Sequence, residues 1–379
     1  MYQQSVQEVH LAFQSLHTAI TQQTEITQDG INITSSVDDL QEVLENKLNT
    51  NYELSPVCQE AIRLAIQAIY SNVGATYSLE TYATTNFTQY ALENLSGFVK
   101  ELWVRVKTSI KTLWDKVAQF WEDNFSALQS VRNTLSHAYK VVEKEYTVTS
   151  ARQSVRLSDS LFNAFNSKKD VDDVLVMSFI MTHLSNFERL DEVIDRTKYF
   201  NYHVRELQEE DFKQDIEPQL VAIGEKLTSR VYKFGHDMRP MIGGEYLVAD
   251  YAFEPGTAEL QMTIDKQTLS TDNDKREMYI TDKSKLKNII KRTIDVIDET
   301  IKYASIREKT QKEFDALIHV YDKIILHSDP IINKNVNKAI KLIYKINSAM
   351  PGFFSLVVTS NVRLAKSVIN YAGLCVKEA

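Results

Sequence analysis

Cysteine is nearly absent. Cys58 and Cys375 are the only two in 379 residues, too few for a disulfide framework or a cysteine-built zinc site. Proline (6) and glycine (10) are scarce as well, so turns must be few and elements long. That argues against sandwiches, barrels and glycine-rich nucleotide-binding sheets, and for long helices. No apolar run approaches the ~18 residues of a membrane span. Residues 1–10 lack the basic and apolar regions of a signal peptide, so secretion by that route is not expected. What is present is globular: 43% apolar and 25% charged residues, in a chain long enough for a sizeable core.

The net charge of −8 is unevenly placed. Residues 1–80 hold ten acids and only two bases, Lys47 and Arg63, and so carry the whole −8. Residues 81–280 sum to −7 and residues 281–379 to +7. The charge map therefore reads as an acidic head on a balanced body.

Helical periodicity runs through most of the chain. Val6, Val9, Phe13, Leu16 and Ile20 step by three and four. A short helix is expected after Asp38, and Ser55-Pro56 offers an N-cap and first-turn proline for a third, with its face on Ile62, Ile66 and Ile69. The clearest stripe lies in residues 81–146: Val99, Leu102, Val106, Ile110, Leu113, Val117 and Phe120, flanked by Trp103, Trp114 and Trp121. Tryptophan beside lysine suits an interfacial membrane helix, but residues 93–123 balance five bases with five acids, which favours packing in a bundle.

Further helices are expected over 151–233, with Val174 to Met181 as a buried helical run and Cys58 as a small core residue. Gly235, Pro240, Gly243, Gly244, Pro255 and Gly256 then crowd together. Glu245 to Phe253 and Glu259 to Gln267 flank Glu254-Pro255-Gly256-Thr257, the pattern of a hairpin with a longer loop. Helices resume near 283, break at Asp329-Pro330, and end as a pair, 331–348 and 353–377, divided by Pro351-Gly352.

Catalytic signatures are missing. The eight histidines show no HExxH or other ligand spacing, and there is no GxSxG elbow, P-loop or GxGxxG. No residue is assigned to catalysis, a cofactor or a metal, and the chain reads as a non-enzyme. Lys334, Lys338, Lys341 and Lys345 do share one helical face, a row able to contact phosphates without reading sequence. The alternative is an ordinary solvated face opposite Ile340, Ile343 and Ile346.

One likeness goes further. The acidic helical leader, the segment Ala75-Thr76-Tyr77-Ser78-Leu79-Glu80, then Ala91-Leu92-Glu93, the Lys/Trp-rich helix Phe98 to Phe125 and Met241-Ile242-Gly243-Gly244 appear in that order. In this order and texture the chain resembles the internal head (core) proteins of large contractile-tailed and giant bacteriophages. The resemblance implies a structural virion protein packed inside the capsid among capsid or core proteins and packaged DNA. It also implies trimming by the prohead maturation protease and passage into the host cytoplasm with the genome. In giant phages that protease prefers Ser-x-Glu and cuts after the glutamate. Ser78-Leu79-Glu80, followed by Thr81, is the only such triplet in the chain.

The expected architecture is mainly α: an elongated multi-helix bundle with a small β-hairpin insertion near residues 245–267. Residues 1–80 form an acidic helical leader and candidate propeptide, 81–233 a long-helix bundle, 234–280 a turn-rich hairpin insertion, and 281–379 basic helices completing the bundle. Two other functions compete with a head component. One is a helical membrane-active or pore-forming protein that inserts the Trp-bearing helix and Phe353 to Val358. The other is an injected effector with an unfamiliar site, which a deep pocket of converging polar groups would reveal.

Overall fold

The computed structural model describes most of residues 10–24, positions 37, 40 and 43–47, and residues 54–72, 87–148, 154–156, 165, 171–229, 241–242, 245–254, 257–266, 277–325 and 330–377. Residues 10–24 and 43–47 are helical where described. Helix α1, Pro56–Asn72, begins as its sequence dictates, with the Ser55 hydroxyl accepting from the Cys58 amide at 3.3 Å. Its buried face is the expected Ile62, Ile66 and Ile69. Cys58, by contrast, is exposed: among the described side chains of this helix burial starts at Ile62.

Helix α2, Phe87–Glu145, has 59 residues and would be about 90 Å long at 1.5 Å per residue. Its predicted stripe and all three tryptophans are packed inside the protein, with Phe120 half-buried. Trp103 meets Tyr321 in a tilted ring contact at 5.4 Å, and Trp121 meets Phe354 likewise at 6.0 Å. The face that resembled an interfacial helix is thus a core face, and no helix among the described residues is long and apolar enough to cross a membrane.

Helix α3, Asp173–Arg205, is capped by Asp172, which accepts from the Leu175 amide at 2.7 Å. The apolar run that opens it is helical but not wholly buried. Val174 and Met181 stand 69% and 49% exposed, because an amphipathic helix turns part of an unbroken apolar run outward. Helices α4 (Glu209–Phe212) and α5 (Glu217–Ser229) follow. Residues 151–233 are not all helical: β1, Ser154–Arg156, is a strand.

Strands β2, Glu245–Glu254, and β3, Thr257–Lys266, form the expected hairpin. Leu260, Met262 and Ile264 stand opposite Tyr251, Ala249 and Leu247. The connection is tighter than expected: Glu254 pairs with Thr257, so Pro255-Gly256 is all that lies between the paired ends. The hairpin lies against α5 and the last helix. Strand β4, Glu277–Tyr279, returns to pair antiparallel with β1, a contact between distant segments.

Helix α6, Lys283–Lys302, starts at an Asp282 cap, and the 3-10 turn Tyr303–Ser305 leads into α7, Ile306–Ile324. The last helix, α8, runs unbroken from Pro330 to Lys377, with Pro351 inside it. The expected pair of helices is therefore one. A proline removes a single backbone donor and crowds the preceding turn, a penalty of about 3 kcal/mol in a helix interior. Burial along both sides of the proline offsets it: Met350, Phe353, Phe354, Val357 and Val358 are all buried. Helix α8 packs on α2, α3 and α6, and the buried side chains form one continuous cluster. The molecule is a helical bundle with a hairpin insertion.

Candidate functional site

Two features singled out in the sequence bear on function, the acidic leader and the lysine row. The leader's described residues belong to the same apolar cluster as the body. Leu16, Ile20, Val37 and Leu44 are buried, as are Ile62, Ile66, Ile69 and Tyr70 of α1. Residues 10–24 run antiparallel to α8. Tyr344 Oη donates to the Thr24 carbonyl at 3.1 Å, Ile20 faces Gly352, and His17 Nδ1 meets Ser355 Oγ at 2.9 Å. His10 lies further along, where burial and the charges of Lys366 and Arg363 lower its pKa to about 4. Helix α2 supports the other side, with Lys116 Nζ 3.5 Å from the Ala19 carbonyl.

Helix α1 packs on the start of α2. Tyr70 Oη donates to the Asn94 carbonyl at 2.5 Å and its ring meets Phe98 edge-on at 5.8 Å. Gly97 makes this approach possible, since a Cβ there would stand 3.0 Å from Tyr70 Oη. Charge alone suggests a detachable head. The described part of it is instead built into the shared core.

Ser78, Leu79, Glu80 and Thr81 lie outside the described residues, between the end of α1 at Asn72 and the start of α2 at Phe87. The segment falls between two helices that are both held to the body.

The lysine row lies along α8, and Lys334, Lys338, Lys341 and Lys345 are all half-buried. Lys338 bridges Asp215 and Glu217, 3.1 Å from each. Burial opposes its charge, but these two carboxylates outweigh burial and raise its pKa. Asp215 is lowered in turn, by the Lys338 hydrogen bond first, then by the Glu217 amide, with a further contribution from Lys334. At this end of the row, lysine charge holds the α4–α5 connection to α8.

A third feature gave no sequence signal: buried polar side chains on α8 that fix its neighbours. Asn335 Nδ2 donates to the carbonyls of Phe212 (2.8 Å) and Gln214 (2.6 Å). Asn347 and Asn201 of α3 exchange amide hydrogen bonds at 2.8 and 2.9 Å. Asn361 carries a longer chain. The Ile242 amide lies 3.4 Å from His183 Nε2, His183 Nδ1 lies 2.8 Å from Asn361 Oδ1, and Asn361 Nδ2 donates to Thr300 Oγ1 at 3.0 Å. Thr300 Oγ1 ends the chain on the Val296 carbonyl at 2.8 Å. All donors point one way only if His183 is neutral with its proton on Nδ1. Burial agrees, lowering its pKa to about 4, helped by Arg363 and opposed by the Asn361 bond.

Asp173, Val174, Met177, Met181, Lys285 and Ile289 line a surface groove of about 550 Å³ between α3 and α6, crossed by a 3.0 Å Asp173–Lys285 ion pair. Among the described residues, no group of three or more His, Cys, Asp or Glu is placed to hold a metal.

This helical body, with its acidic segment packed along the first and last long helices, can be set beside known families. A family model of phiKZ-like phage internal head proteins matches residues 14–374. The chain belongs to this family. No curated protein and no solved structure matches it. As an internal head protein it is a structural component of a phage head, and its place is inside that head. The match begins within the leader, so most of the acidic segment falls inside the matched region.

Proposed function

We propose that this internal head protein is packed in the prohead as a full-length chain and cut by the maturation protease after Glu80, leaving residues 81–379 as the mature body. The single Ser-x-Glu triplet supports this reading by its position: it falls in the sequence between α1 and α2, so cutting after Glu80 separates the acidic segment from the rest of the chain without dividing either helix. The role is structural, with no reaction assigned. The test is terminal analysis of the chain from purified virions. A mature N-terminus at Thr81 is expected, and a chain in mature particles that still begins at Met1 overturns the cleavage.

DNA contact through the α8 lysines is the second part of the proposal. Lys338 is bridged to two carboxylates, so a phosphate meeting it would compete with Asp215 and Glu217. Each neutralised phosphate contributes about −0.9 to the slope of log affinity against log salt, so a row of four lysines supports a slope no steeper than about −3.6. Titration of duplex DNA at several salt concentrations reads it. Lys334→Gln with Lys341→Gln and Lys345→Gln should flatten the dependence, and an unchanged slope in this variant rules the row out.

A further inference from the structure

The described contacts that hold the leader come from residues 10–24 and from α1. Residues 10–24 are fixed to α8 and α2 by side chains, and α1 is fixed to α2 by Tyr70 and its isoleucine face. Both contacts combine buried apolar area with a directed hydrogen bond, as a protein interface does. The Tyr70 contact also depends on a glycine, since a Cβ at Gly97 would stand 3.0 Å from the Tyr70 hydroxyl.

From this we infer that the leader stays bound after the chain is cut between α1 and α2, so that the mature protein is a complex of the body with its own severed N-terminal segment. The inference rests on the reading that the chain is cut after Glu80. Scission removes only the high effective concentration that the connecting peptide provides. It leaves the apolar burial of Leu16, Ile20, Ile66 and Tyr70 untouched, and departure of the segment would open that part of the core to water. The cut then changes connectivity and not net charge: the complex keeps the full −8 of the intact chain. An acidic surface would persist beside packaged DNA, limiting how closely the body approaches phosphate.

The experiment uses the full chain with Ser78–Thr81 replaced by the recognition sequence of a site-specific endoprotease. After cutting, size-exclusion chromatography under native conditions should give one peak holding both fragments in equal amounts, separating only in denaturant. Hydrogen exchange at the amides of residues 62–70 should match that of the uncut chain. A leader fragment eluting alone, a body that precipitates on cutting, or lost protection at residues 62–70 overturns the inference. Ile20→Glu combined with Tyr70→Glu should release the leader once cut. Co-elution in that variant shows that these contacts are not what holds it, and also overturns the inference. Because the cut is engineered, the outcome is independent of the phage protease, whose action is read from the virion N-terminus.

Discussion

His183 offers the sharpest test of the buried polar chain. Its imidazole is fully buried, accepts at Nε2 from the Ile242 amide and donates at Nδ1 to Asn361. Protonation would place a second donor against the Ile242 N–H and a charge near Arg363. The folded pKa of about 4 lies below the 6.5 of an unperturbed histidine. The unfolded chain therefore binds the proton first, and stability falls as pH drops from about 6.5 towards 4. Between pH 7 and pH 5 this one group should cost about 2 kcal/mol, and about 3 kcal/mol once pH 4 is reached. Urea unfolding at pH 7, 6 and 5 measures it in the parent and in His183→Gln. Glutamine offers a donor and an acceptor but does not titrate. The variant should lose less stability on acidification, by about 2 kcal/mol at pH 5. Parallel pH profiles for the two proteins would refute the neutral-imidazole argument.

Two further substitutions probe the core. Tyr321 is buried between Trp103 and Phe212, and its hydroxyl has no hydrogen-bond partner among the described residues. Tyr321→Phe keeps the ring contacts and should raise stability by about 1 kcal/mol in thermal or urea unfolding. Gly97→Ala should destabilise, even though alanine in a helix interior ordinarily gains about 1 kcal/mol over glycine, because the new methyl meets Tyr70 Oη. In a Tyr70→Phe background the same change should turn stabilising, and thermal melts of the four proteins in this cycle read the reversal.

Local patterns were legible where burial follows helical periodicity. The α1 face, the α2 stripe and the cap at Ser55 needed only neighbouring residues to decide them, and so did the hairpin. What escaped depended on distant partners. The pairing of Ser154–Arg156 with Glu277–Tyr279 involves three residues on each side and leaves no local alternation to read. Pro351 looked like a boundary because intrinsic propensity is against it; the packing on both sides that overrides propensity is visible only in the fold. The buried asparagines of α8 gave no signal, since nothing in sequence pairs Asn347 with Asn201 or Asn361 with His183. Of the candidate site, the Ser78-Leu79-Glu80 triplet and the lysine row were both apparent. The ion pairs that draw Lys338 toward Asp215 and Glu217 were not, because the acids come from a segment 121 and 123 residues away.

The contact of residues 17–24 with α8 joins positions more than 300 apart in the chain. During synthesis the helix of residues 10–24 must wait for this partner until more than 300 further residues have been translated and α8 clears the ribosome. Closure of the bundle is thus a late event that follows synthesis of α8. Ribosome-stalled nascent chains ending before residue 344 should bind chaperones that chains completed to residue 379 have shed.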